Sequence, residues 1–190
     1  MTCETDETIF TGYTSFEIAP KNISGMTVTL SATELEYTGS AQNVTVTGVT
    51  GLAVSDYDVS GATSGTTVNN YTVTVTGKGN YTGTANAVWK ITPKAITISA
   101  ATATNRGYVK DDKSVVISGV TFAGASLIKD TDYTVTGVMD DANAGTGKTV
   151  NVTVVLTNTN YSLATATTTT TVDIAKASAQ TLTRVTLWRL

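Results

Sequence analysis

YTVTVTGKGNYTGT, residues 71–84, is the stretch from which the fold can be read. Tyr71, Val73 and Val75 fall on one parity, and Thr72, Thr74 and Thr76 on the other. Strict alternation predicts a strand with one face buried and one wet, because successive side chains leave a pleated backbone on opposite sides. Threonine suits the wet face: its branched Cβ stiffens an extended chain and its hydroxyl tolerates water. The run then breaks at Gly77-Lys78-Gly79-Asn80. Glycine reaches positive φ at little cost and asparagine tolerates it, so a tight turn is expected there.

The same parity recurs outward in both directions. Met26, Val28 and Leu30 share a face, as do Val44 and Val46, and Ala85, Ala87, Trp89 and Ile91. Later come Val150, Val152, Val154 and Leu156, then Val172 and Ile174. Turn signals stand between them: TGSAQN, GATSG, GKGN, NAGTG and TNTN. No segment keeps a helical period. The expected class is all-β, built as sandwiches from short strands.

Composition narrows the function. Of 190 residues, 41% are apolar, enough to bury a core, and only 14% are charged. A typical domain has about 25% charged residues, and threonine fills the gap, wetting the surface with hydroxyls. The net charge of −3 with no basic run gives a nucleic-acid partner no electrostatic support. No apolar stretch reaches the length of a membrane span. Histidine is absent, which removes the commonest general base and zinc ligand. Cys3 is the single cysteine, so no intrachain disulfide and no cysteine metal site is expected. No cofactor is expected. MTCETDETIF is polar and acidic and does not read as a signal peptide. The expected setting is extracellular or at a cell surface, within a longer exported chain.

The chain repeats itself. FEIAPKNIS (16–24) matches WKITPKAITIS (89–99) and, more loosely, VDIAKASAQ (172–180). DYDVSG (56–61) answers DYTVTG (132–137), and NYTVTVTGKGNYTG (70–83) answers VNVTVVLTNTNYSL (150–163), with Tyr81 and Tyr161 at the same turn. These marks predict a sandwich over 21–92 and a second over 93–176. Residues 1–20 read as the end of a preceding unit, and 177–190 as a tail with a possible extra strand. Both prolines, Pro20 and Pro93, fall at the start of a copy. Proline has no N–H and is excluded from central strands, so it fits where one unit hands over to the next. With no Gly/Ser linker, a semi-rigid succession of domains is expected, with Pro20, Lys21, Pro93 and Lys94 as the inter-domain junction.

At this point a family resemblance can be named. EYTGSAQNVTVTG, DYDVSG, NYTVTVTGKGNYTGT and KITPK resemble the bacterial Ig-like repeats of the MBG/YDG type, found in tandem in large surface proteins such as adhesins. In the second unit GYVKDDKSVVISGV, DYTVTG, NAGTGKTV, NYSL and DIAKA resemble the YDG variant. Tyr108-Val109-Lys110-Asp111 stands where that variant has Tyr-Asp-Gly, a departure from its pattern. The resemblance spans about residues 9–177. It implies Ig-like sandwiches used as stalk or spacer, without enzymatic activity and without catalytic residues to carry over.

Other constellations have plain structural readings beside the functional ones. The acidic residues Asp111, Asp112, Asp140 and Asp141, like Asp130 and Asp132, are candidate calcium ligands, since Ca²⁺ gathers six to eight oxygens. They lack regular calcium-loop spacing, and solvated turns explain them as well. Asp56-Tyr57 and Asp132-Tyr133 invite a catalytic reading, but parity makes each tyrosine a core residue with its hydroxyl on backbone. GKGN and GTGK (145–148) lack full phosphate-loop spacing and read as hairpin turns. Trp89 faces inward by parity. An isopeptide bond from Lys94 or Lys176 needs a buried acid, which parity does not locate. Sequons begin at Asn22, Asn43, Asn70, Asn80, Asn151 and Asn160. The expected partners are neighbouring domains of the same chain, then a further copy by strand addition, or a host surface ligand. A spacer leads; a subunit of a fibre, pilus or phage particle and a glycan- or protein-binding module are the alternatives. An enzyme is the least favoured reading, with no nucleophile–base pair in view.

Overall fold

The computed structural model describes residues 17–178. The expected preceding strand, up to residue 16, and the tail from residue 179 lie outside the described residues. The chain is all-β, with one 3-10 turn at Val54–Asp56 and no α-helix among the described residues. Up to residue 92 the strands are β1 (Lys21–Asn22), β2 (Val28–Leu30), β3 (Glu34–Glu36), β4 (Gln42–Asn43), β5 (Val46–Val49), β6 (Tyr57–Gly61), β7 (Ser64–Gly65), β8 (Asn69–Gly77), β9 (Tyr81–Thr82) and β10 (Thr84–Thr92). Then follow β11 (Lys94–Ala103), β12 (Arg106–Gly107), β13 (Ser114–Val115), β14 (Ile117–Ala123), β15 (Tyr133–Met139), β16 (Gly145–Leu156), β17 (Tyr161–Leu163) and β18 (Thr167–Ala175). They form several sheets, the largest ordered β3-β10-β8-β6 and β12-β18-β16-β15-β13.

Two compact units result, and neither is continuous in sequence. Of the described residues, one gathers 17–33 with Asn43–Ser64 and Tyr71–Trp89; the other gathers Glu34–Gln42, Gly65–Asn70 and 90–178. Density of contact therefore divides the chain differently from the sequence marks at 92/93.

In the first unit β6 pairs antiparallel with β8, placing Tyr57 opposite Gly77 and Val59 opposite Val75. β2 pairs antiparallel with β5. Val49, Tyr57 and Val75 of these strands join Ile23, just after β1, and Ala85 of β10 in a buried core. Trp89 is fully buried, as its parity predicts. Its ring stacks on Tyr71 at 4.6 Å, and its Nε1–H donates to the Ala62 carbonyl at 2.7 Å. That bond satisfies the one polar atom the indole takes out of water.

In the second unit β16 is the central strand, antiparallel to β15 on one side and to β18 on the other. Val150, Val152 and Val154 all point inward and join Tyr133, Met139, Val172, Ile174, Val115, Ile117 and Val120 in a sandwich-like core. The outer face of the same strands carries threonine: Thr153 sits opposite Thr136 on one neighbour and Thr167 on the other. Cross-strand threonine pairs are favourable, by roughly 0.2–1 kcal/mol relative to alanine.

The reading of GTGK as a hairpin turn is corrected by this sheet. Residues 145–148 lie inside β16, where the register to β18 shifts between Gly145 and Lys148. Gly147 takes φ +60 there, and its N–H donates to Asp173 Oδ1 at 2.7 Å. Glycines mark bulges as readily as turns, because both need positive φ. GKGN does form a turn, with Gly79 at φ +66 and Tyr81 N–H donating to the Lys78 carbonyl at 3.2 Å.

Candidate functional site

The junction residues are placed by backbone. Only Pro93 separates β10, which ends at Thr92, from β11, which begins at Lys94. Lys94 pairs in parallel with Tyr161, and its N–H donates to the Asn160 carbonyl at 3.0 Å. The first copy repeats this arrangement: Lys21 follows Pro20, pairs in parallel with Tyr81, and donates its N–H to the Asn80 carbonyl at 2.9 Å. Proline fits immediately before these bonds, because the first N–H the ladder needs is that of the following lysine.

Around Lys94 the second unit builds a polar network. Asn160 Oδ1 accepts the Val68 N–H at 2.8 Å, and its own N–H donates to Asn158 Oδ1 at 3.0 Å. Asn158 Nδ2 donates to Asp132 Oδ1 at 2.9 Å, while Asp132 Oδ2 accepts the Ile128 N–H at 2.8 Å. These donors favour the carboxylate, the Ile128 amide most, and hold the Asp132 pKa below its ordinary value. Tyr37, on the segment after β3, meets Tyr161 edge-on at 5.3 Å between ring centroids. Loss of water around Tyr161, reinforced by Tyr37 and Asp132, raises the pKa of its phenol. Asn160, Asn158, Tyr37 and Val68 were not among the sequence-derived junction residues. The available signal was the asparagine-tyrosine step shared by Asn80-Tyr81 and Asn160-Tyr161.

In the Asp-Tyr pairs the tyrosines lie in the core and the aspartates in loops. Tyr57 and Tyr133 are buried, and Tyr133 Oη accepts the Val120 N–H at 3.1 Å. Asp56 and Asp132 each close a loop, with Asp56 Oδ2 accepting the Ala53 N–H at 2.9 Å.

The calcium candidates fall into turns. Asp112 Oδ1 accepts both the N–H and the Oγ–H of Ser114, at 2.8 and 2.7 Å, and Asp112 Oδ2 faces Arg106 Nη2 at 3.4 Å. Those bonds, Ser114's first, hold the Asp112 pKa below the usual range. Asp141 accepts from Lys148 Nζ and from the Asn143 N–H, and its pKa is lowered chiefly by the lysine. Asp140 Oδ1 accepts Asn151 Nδ2 at 2.8 Å. Asp111 adopts φ +59 in the turn following Tyr108-Val109-Lys110. Among the described residues no three acidic, histidine or cysteine side chains converge as a metal-ion ligand set. None of the described polar or charged residues is buried, so no buried acid stands beside Lys94 or Lys176. No helix among the described residues is long and apolar enough to cross a membrane.

What the arrangement does chemically is hold backbone to backbone: a parallel strand entry, an asparagine turn and an aromatic pair. No family model, no curated protein and no solved structure matches this chain.

Proposed function

We propose that the chain is a tandem run of Ig-like β-sandwiches acting as a non-enzymatic spacer in a bacterial surface protein or adhesin, holding a functional part away from the surface. The observation that carries this reading is the hand-over at Pro93, where β10 passes into β11 through a single residue and Lys94 is at once bonded to Asn160. The connection carries no Gly/Ser stretch, the composition that behaves as a random coil. The recurrence of the same entry at Lys21 and Tyr81 supports a repeated building unit. The partners of such a unit are its neighbouring domains, outside a cell.

Small-angle scattering tests the reading. The chain is compared with a variant carrying a flexible Gly/Ser insertion after Pro93. The expected outcome is a narrow distance distribution for the natural chain and a broadened one for the insertion. Equally broad profiles would overturn the spacer reading.

Assembly by strand addition, as in a fibre, pilus or phage particle, is a second reading, and β6 favours it. β6 is the edge of its sheet; Val59 on it and Val54 in the turn before it are exposed. An open edge with apolar neighbours can receive a strand. Light scattering that finds a mass rising with concentration, and falling back with Val59→Lys, would move the weight to this reading.

A further inference from the structure

We infer that Tyr37 and Tyr161 form an oxidative cross-linking site, at which a peroxide-driven reaction joins the two rings into a dityrosine. Its chemistry stands on geometry alone, while its use as a covalent lock rests on the spacer reading.

Both rings are held from their backbones. Tyr37 N–H donates to the Thr92 carbonyl at 2.9 Å, and Tyr161 is fixed by its parallel pairing with Lys94. The rings approach edge to face, with centroids 5.3 Å apart and planes at 83°. Both side chains are half-buried, so small oxidants reach them while packing limits their motion. Bringing ring carbon to ring carbon needs rotation about side-chain bonds, which costs little against the backbone motion that distant tyrosines would require. The chain has a single cysteine, Cys3, so a disulfide cannot supply an intrachain staple.

The balance is as follows. A haem peroxidase uses hydrogen peroxide to take one electron and the phenolic proton from each tyrosine. The two phenoxyl radicals couple through one ortho carbon of each ring. Each coupled ring then moves the hydrogen on that carbon to its oxygen and regains a phenol. One carbon–carbon bond forms, two hydrogens leave the pair, and one peroxide becomes two waters.

The experiment treats dilute full chain with a haem peroxidase and hydrogen peroxide. The expected result is blue dityrosine fluorescence in monomeric protein whose mass has fallen by two hydrogens, with a yield independent of protein concentration. A protease digest then contains one linked peptide pair, carrying residues 37 and 161. Tyr37→Phe and Tyr161→Phe each remove that pair, whereas Tyr81→Phe keeps it. Thermal melts before oxidation establish that the phenylalanine variants are folded, and the peptide map of the unaltered chain decides the matter without them. Links found only between molecules, links between other tyrosines, or no link at all would each overturn the inference. None of these outcomes bears on the scattering test of the spacer, so the two can fail separately.

Discussion

DYDVSG (56–61) and DYTVTG (132–137) are the same hexapeptide in outline, yet the two copies meet different constraints at their last residue. Gly61 takes φ +83, and a Cβ there would stand 2.7 Å from the Thr72 carbonyl oxygen. Gly137 has no positive φ; a Cβ there would instead meet Ile117 Cδ1 at 2.7 Å and the Val115 carbonyl at 2.9 Å. The first glycine serves a left-handed backbone conformation as well as a close approach of backbone, and the second a close packing contact alone. In contrast, the first two residues play the same part in both copies. Asp56 and Asp132 each accept a loop N–H through the side chain, and the backbone carbonyl of each accepts the N–H of the residue just past a strand end, Lys78 and Thr157 respectively, at 2.9 Å. A shared motif thus marks a shared position, while the force that selects each residue is set by what surrounds it.

The sharpest test of the comparison is in the core. Trp89 and Val172 occupy corresponding places ahead of Ile91 and Ile174, but Trp89 has a stacking partner and a carbonyl to bond. Trp89→Ala should cost about 3–5 kcal/mol, the usual range for emptying an aromatic site, measured by chemical denaturation. The swap Val172→Trp should also destabilise, by about 1–3 kcal/mol, because an interior at native density has no room for it.

The glycines come next. Gly61→Ala and Gly137→Ala should each lose about 1–3 kcal/mol, from positive-φ strain and crowding by the Thr72 carbonyl in the first and from overpacking against Ile117 in the second. Ile117→Val separates them: it should partly rescue Gly137→Ala by freeing the Cδ1 position and leave Gly61→Ala unchanged. Equal rescue of both would dissolve the distinction. Tyr133→Phe should cost about 1–3 kcal/mol, since the Val120 N–H is left without its partner.

Acid offers a milder probe of the second unit. Asp112, Asp132 and Asp141 all have pKa values depressed by the fold. A depressed carboxylate stabilises above its unfolded value, about 3.9 for aspartate, and that contribution is lost as pH falls through the lower folded value. Melting temperature should therefore drop below about pH 4, with a shallower drop in Asp132→Asn. An unchanged acid profile in that variant would remove Asp132 from the account. The smallest effect should come from the exposed Asp58–Lys78 pair at 2.8 Å. Its removal by Asp58→Ala should change stability by at most about 1 kcal/mol and less in high salt.

Much of the fold was legible because a β-strand writes its burial at period two. Val73, Val75, Trp89, Ile91, Val150, Val152 and Val154 are all buried, as parity alone predicts. Turn chemistry was less legible. Gly147 supplies positive φ to a bulge inside β16, and glycine does not announce which of the two devices it serves. The surroundings of Lys94 were not legible, because Asn160, Tyr37 and Val68 come together there from distant segments. Their meeting leaves no local periodicity to read.

The sequence by itself determined that the described residues are built of β-strands and which faces of the long strands are buried. Those follow from side-chain alternation and the demands of turns, all local in the chain. Tertiary structure alone decided what crowds each glycine, which acids accept hydrogen bonds, and which tyrosine meets which. Those depend on neighbours far apart in sequence, brought within a few ångströms only when the strands pair.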